Sequence, residues 1–233
     1  MSLLDAYRDL KYLLNRGYPK KSALKFVGDH YRLPLRGRYL LARCVFPDAW
    51  IDEVRRKLLK PEELAGKPLA IDGFNVLITL ESLRDGEAIL CEDGLVRDLK
   101  YQGKYRLNER TSEVIEMTVE ALFRLKVSEA IFLYGKNIPK SGEIRKTTEE
   151  ILQRFGVSGE VRLARNPDFE LKSFENVATA DTAIIDAVKG VFDLAAYAGR
   201  EFRPTTLGEF FRKESEFTDF SPIRRFSKNY NPF

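Results

Sequence analysis

Asp72 and Asp181 each stand at the end of an apolar run. The first run is Leu69-Ala70-Ile71, followed past the aspartate by Gly73-Phe74-Asn75. The second is Val177-Ala178-Thr179-Ala180. Each reads as a buried strand that carries its carboxylate to the strand's C-terminal edge, where ligands bind in open α/β sheets. Two carboxylates at one edge make a site for a hard cation, and a hard cation with its bound water hydrolyses phosphodiesters. Gly73 would let the backbone approach a phosphate closely, and Asn75 would orient Asp72 or donate to that phosphate. If residues 182–187 are helical, Asp181 lies at the helix N-terminus, where the dipole stabilises a carboxylate. Simple capping is the competing role for it.

Two carboxylates do not complete a Mg²⁺ or Mn²⁺ shell, so further oxygen ligands are expected. Asp186 lies just beyond the second run, and Asp168 follows a strand within Arg165-Asn166-Pro167-Asp168. Glu113 and Glu116 sit on an amphipathic helix, where most glutamates simply face solvent, and Glu81 is close to Asp72 in sequence. The expected metal ligands are Asp72, Asp181, Asp186, Asp168 and Glu116. Asp72, Asp181 and Asn75 are the expected catalytic residues. Lys140-Ser141-Gly142-Glu143 opens a helix after a strand, so its free amides and Lys140 could hold a phosphate or serve only as a cap.

What is missing narrows the chemistry. His30 is the single histidine, which removes two-histidine acid–base ribonucleases and His-rich metal sites. No P-loop or dinucleotide glycine motif is present. Catalysis must rest on carboxylates, Lys/Arg and a metal. A phosphatase built on a nucleophilic Asp is disfavoured, because Phe74 stands two residues after Asp72 where a second acid is usual. Cys44 and Cys91 are too few for a disulfide framework. No stretch is long and apolar enough for a membrane span, and the N-terminus lacks an apolar leader. The expected location is cytoplasmic.

The elements that must position these acids fall into two regions of opposite charge. Residues 1–60 hold 14 Lys/Arg against 6 Asp/Glu, and the rest holds 25 against 29. The basic region reads as helices punctuated by Pro and Gly: Leu3 to Leu14, Ser22 to Tyr31, Leu40 to Phe46 and Pro47 to Leu59. Lys20, Lys21, Lys25, Arg36 and Arg38 interleave there with Tyr18, Tyr31 and Tyr39, a pattern that pairs with phosphates while rings stack on bases. With Lys140 and Ser141 these are the expected nucleic-acid contacts. Lys60 to Pro68 is the expected boundary. Beyond it strands and helices alternate, which argues for an α/β layer. Strands are expected at 69–71, 130–134, 160–164 and 176–179, a hairpin with an Asp-Gly turn at 89–96, and helices at 108–126 and 141–155. Residues 191–197 have no clear assignment. The division is thus 1–62, a basic helical module; 63–200, an α/β domain; and 201–233, a tail packed on the domain.

Ile71-Asp72-Gly73-Phe74-Asn75 resembles the first motif of the NYN branch of PIN-like nucleases, and Val177-Ala178-Thr179-Ala180-Asp181 resembles a later PIN motif. The whole chain resembles a largely archaeal, uncharacterised family in which a basic helical module, with a string like Arg16-Gly17-Tyr18-Pro19-Lys20-Lys21-Ser22-Ala23, precedes a PIN-like domain. The resemblance implies a three-layer α/β/α fold with a mostly parallel sheet, a Mg²⁺ or Mn²⁺ site, and hydrolytic, endonucleolytic cleavage of single-stranded RNA. RNA is the expected partner, with DNA as the alternative. The pattern departs at Tyr134-Gly135, where NYN-like sheets commonly carry another Asp. That departure supports the competing expectation, a nucleic-acid-binding adaptor without chemistry.

Overall fold

The computed structural model describes residues 2–99 and 105–217, the last five of these as backbone alone. Its centre is a five-stranded sheet in which every pairing is parallel. The strands are β1 (Pro68–Asp72), β4 (Glu129–Gly135), β5 (Gly159–Ala164), β6 (Asn176–Ala178) and β7 (Gly190–Phe192), in the order β5-β4-β1-β6-β7. β1, β4, β6 and β7 read as near-continuous apolar runs because both faces are covered, whereas the edge strand β5 carries exposed Glu160 and Arg162. Leu69, Ile71, Ala130, Phe132 and Tyr134 point into one core with helices α5 (Gly73–Arg84), α6 (Thr111–Leu125), α7 (Ser141–Phe155) and α10 (Leu194–Ala198). The alternate residues Ala70, Ile131, Leu133 and Val177 point into a second core with α4 (Asp48–Lys57), α8 (Pro167–Leu171) and α9 (Thr182–Ile185). The chain moves outward through β4 and β5, then returns to place β6 on the other side of β1. The order therefore reverses between β1 and β6, and such a switch point opens a crevice at the strands' C-terminal ends.

The N-terminal region is helical. Helix α1 (Leu3–Asn15) begins at a capping box made by Ser2 and Asp5 and satisfies its first free amides that way. Pro19 and Pro34 precede α2 (Lys20–His30) and α3 (Leu35–Cys44). Leu10, Leu14, Leu24, Val27 and Leu41 form the small core of these helices. Helix α4 follows in sequence but packs elsewhere. Val54 joins the second core of the sheet, and the Leu59 amide donates to the Val191 carbonyl at 2.8 Å. The helical region and the α/β region thus share α4 rather than meeting across a free linker.

A second sheet is formed by β2 (Ala88–Leu90), β3 (Val96–Asp98) and β8 (Thr205–Thr206), in the order β3-β2-β8. Its β2–β3 hairpin turns through Asp93-Gly94, with Gly94 at φ 90°, a conformation that glycine adopts without penalty. The two cysteines are not isolated from each other: Cys44 on α3 and Cys91 beyond β2 are bonded, with 4.6 Å between their Cα atoms. Leu40, Ile89 and Phe210 surround them. Residues 205–217 form β8 and α11 (Leu207–Phe217), whose Phe211 ring meets Tyr7 of α1 at 5.1 Å; the rest of the expected tail, 218–233, lies outside the described residues. Among the described residues no helix is long and apolar enough to cross a membrane.

Candidate active site

Asp72 ends β1 at the switch point, and the loop after β6 brings Thr179, Ala180 and Asp181 beside it. The Thr179 hydroxyl joins the Asp72 carboxylate to the backbone of Asp181. It donates to Asp72 Oδ2 at 2.9 Å and accepts from the Asp181 backbone amide at 3.1 Å. Asn75, in the first turn of α5, accepts from the Ala180 amide at 2.9 Å through Oδ1. It therefore fixes the second loop rather than reaching outward through that oxygen. Asp181 caps α9, its Oδ1 accepting from the amides of Ala183 and Ile184 at 2.8 and 3.3 Å.

Burial pushes the Asp72 carboxyl up to about 7. The negative charges of Asp168 and Asp181 push in the same direction, while the Thr179 hydroxyl and the Asn75 amide oppose the rise. Repelled carboxylates at a low-dielectric edge are the setting that a cation relieves. The donors are all oxygen, as Mg²⁺ or Mn²⁺ prefers. Half of Asp181 is already committed to its helix, however. Among the described residues no group of three or more His, Cys, Asp or Glu side chains is arranged to hold a metal ion. The residues fit a hard cation in chemistry without forming a closed set of ligands.

The other expected site residues are scattered. Asp168, on α8, reaches Asp72 through its charge. Asp186 ends α9 and accepts from Trp50 Nε1 at 2.6 Å. Glu116 is paired with Arg154 at 2.7 Å, one residue before the end of α7. That end lies at the opposite edge of the sheet, because α7 runs back from the end of β4 to the start of β5. Glu113 pairs with Arg84, and Glu81 accepts from Tyr105 and Asn108. Lys140 adopts a left-handed conformation, φ 63°, and pairs with Glu143 at 3.7 Å, while the Ser141 hydroxyl donates to the Lys136 carbonyl. Lys25 and Arg38 both pair with Asp29, and Arg38 also ties α2 to α3 by donating to the Gly28 and Leu33 carbonyls. Arg36 lies over the Phe210 ring at 5.4 Å, and Lys21 is exposed.

Gly73 has a different purpose from the one its place suggested. A Cβ there would come within 2.2 Å of the Tyr134 ring. Tyr134 is fully buried and hydrogen bonded to Thr148 at 3.1 Å, so the glycine makes room for a core side chain. Phe74 packs on the rings of Tyr105 and Tyr134, and the place two residues after Asp72 is thus apolar.

Sequence reading missed the group that fixes the loop after β6. Arg97, on β3, is 2% exposed. It forks onto Asp93 at 2.8 and 2.6 Å and donates from Nε to the Ala180 carbonyl at 3.0 Å. The neighbouring Asp193 accepts from the Val96 and Ala196 amides, and burial raises its carboxyl to about 6. The Arg97–Asp93 spacing is the only trace of this in the sequence, and such spacings are common on surfaces.

Between α2, α3, α4 and the loop after β6 lies a cleft of about 360 Å³. Lys20, Arg43, Phe46, Trp50, Asp181 and Asp186 are on its walls. Another hollow, of about 440 Å³ beside α5 and α6, has wall arginines that are already paired, Arg84 with Glu113 and Arg110 with Asp85. The first cleft is the one walled by Asp181 and Asp186.

A parallel sheet covered on both faces, preceded by a helical region, places the chain among mixed α/β proteins with a mostly parallel central sheet. Residues 61–197 match the family described as Domain of unknown function (DUF5616), and residues 2–57 match the one described as Protein of unknown function (DUF434). The chain belongs to the DUF5616 family. It is similar to Uncharacterized protein MJ0935 of the archaeon Methanocaldococcus jannaschii, with 42% identity over 202 residues, covering 85% of this chain and 97% of the relative. No solved structure matches it.

Proposed function

We propose that the protein is a metal-dependent ribonuclease of the PIN-like, NYN type that cuts single-stranded RNA at the β1–β6 switch point. One observation carries this reading: Thr179 ties the Asp72 carboxylate to the loop that carries Asp181, from a distant part of the chain, and the charge of Asp181 reaches Asp72 there. Asp72 and Asp181 would hold Mg²⁺ or Mn²⁺, with Asp168 adding negative charge. A bound ion of this kind lowers the pKa of its water and neutralises charge on phosphoryl oxygens. The chain's own residues do the positioning. Thr179 and Asn75 fix the loop that carries Asp181, and Arg97 anchors the same loop from the hairpin. The basic face of α2 and α3 would attract the RNA backbone.

The test is cleavage of mixed single-stranded RNA by the purified protein with Mn²⁺. Cleavage by the wild type, lost in Asp72→Asn and Asp181→Asn, is expected. Asn caps a helix as well as Asp does, so the second variant keeps α9. Intact RNA in every sample would refute the proposal. A second reading, an RNA- or DNA-binding adaptor without chemistry, is favoured by the buried Tyr134 at the end of β4 and by the lack of a three-acid group among the described residues. Salt-dependent RNA binding with no cleavage would select it.

A further inference from the structure

The cleft between the helical region and the sheet edge has walls whose charges and rings are not used up by the fold. Lys20 Nζ lies 3.5 Å above the Phe46 ring, and among the described residues it has no carboxylate partner. Burial and the charge of Arg97 lower its ammonium to about 7. Arg43 pairs with Asp98 on one side of its guanidinium, but its buried Nε has no hydrogen-bond partner among the described residues. Trp50 is half-buried on the same wall. Phe46 stacks behind it at 4.3 Å, and its indole N–H is held by Asp186. Asp181 closes the cleft on the sheet side. The fold has therefore set two cations and a fixed indole beside an acid of the candidate active site.

We infer that this cleft is the strand-entry subsite for single-stranded nucleic acid, with a backbone phosphate bound by Lys20 and Arg43 and a neighbouring base against Trp50. A phosphate supplies the direct anionic partner that Lys20 lacks and an acceptor for the Arg43 N–H groups. An indole already clamped by a hydrogen bond and a ring behind it loses little entropy when a base stacks on it. A folded duplex is too broad for a pocket of this size, whereas one nucleotide fits. An acidic peptide would satisfy the cations but gain nothing from the indole. The choice of ligand rests on the reading of this edge as a phosphodiester site, but binding here is independent of cleavage.

Trp50 is the single tryptophan of the chain, so intrinsic fluorescence reports on the cleft. The probe is 5′-phosphorylated triuridylate, titrated in EDTA so that hydrolysis plays no part. A saturable change in Trp50 emission is expected in the wild type. Lys20→Met keeps a flexible side chain over Phe46 and removes the charge, so it should weaken binding by about tenfold. Lys20→Arg should restore it, and Lys146→Gln, on the outer side of α7, should leave it unchanged. No emission change at millimolar probe, equal binding by Lys20→Met, or equal binding by polyglutamate would each overturn the inference. If Lys20→Met does not fold, the wild type decides the matter, because affinity that does not fall with added salt also overturns it. Binding without Mn²⁺-dependent cleavage would sink the nuclease proposal and leave this subsite standing.

Discussion

Replacing Asp72 by Asn removes a charge that the folded chain holds at a cost. In the folded protein the carboxyl titrates at about 7 instead of its ordinary 3.8, so the protonated form is favoured on folding. Its contribution to stability is fully present below 3.8 and is lost as pH rises through about 7. At 1.36 kcal/mol per pH unit the whole interval is worth at most about 4 kcal/mol. Asp72 keeps part of its surface in water, so about 2 kcal/mol is the working figure. Asn preserves the shape and still accepts from Thr179. In EDTA, Asp72→Asn should therefore be more stable than the wild type at pH 8. For a chain of this size the gain is roughly 4–8 °C in melting midpoint. The difference should shrink steadily towards pH 4 and stop growing above pH 7. Thermal melts followed by circular dichroism at pH 4, 6 and 8 measure it. Adding Mn²⁺ at pH 8 should raise the wild-type midpoint and leave the variant's unchanged. An Asp72→Asn protein that is less stable at pH 8, or whose difference from wild type ignores pH, would show that Asp72 is neither desolvated nor repelled by its neighbours.

Thr179→Val is nearly isosteric but removes the hydroxyl that stabilises the Asp72 charge. The pH dependence of stability should shift to higher pH than in the wild type, as read from the same melts. Gly73→Ala would drive a Cβ into the Tyr134 ring and should cost about 1–3 kcal/mol by urea denaturation; a smaller residue at 134, as in Tyr134→Leu, should relieve part of that clash. Arg97→Met leaves Asp93, which has no exposed surface, without its partner. It should cost about 3–5 kcal/mol and lower RNA cleavage as well, because the Ala180 carbonyl loses its tether. Unchanged stability would mean that the buried pair does not hold the loop.

The strands β1, β4 and β6 were legible because a strand buried on both faces is apolar nearly throughout, and that pattern needs no knowledge of its neighbours; the edge strand β5 instead alternates Glu160 and Arg162 with Val161 and Leu163. Helices α1, α6 and α7 were legible from their 3.6-residue period. Helix α5 was not, because Val76, Leu77, Leu80 and Leu83 are buried together with Thr79 and Ser82. A helix enclosed on most sides has no polar face to mark its period. Residues 191–197 were opaque for a related reason: one apolar stretch is split at Asp193 between a strand and a short helix.

The sequence by itself determined which residue types were available for chemistry: many carboxylates, one histidine, a basic N-terminal region, and two aspartates placed at the ends of apolar strands. Those are local properties, set by composition and by the period of side chains along each element. Only the tertiary structure decided which charges meet. Strand order put Asp72 and Asp181 on either side of one hydroxyl, and the path of α7 took Glu116 to the far edge with Arg154. The packing of α4 on the sheet brought Trp50, and that of α2 brought Lys20, into one cleft with Asp181. Such meetings depend on crossovers between distant segments, and no local pattern of side chains records which crossover the chain takes.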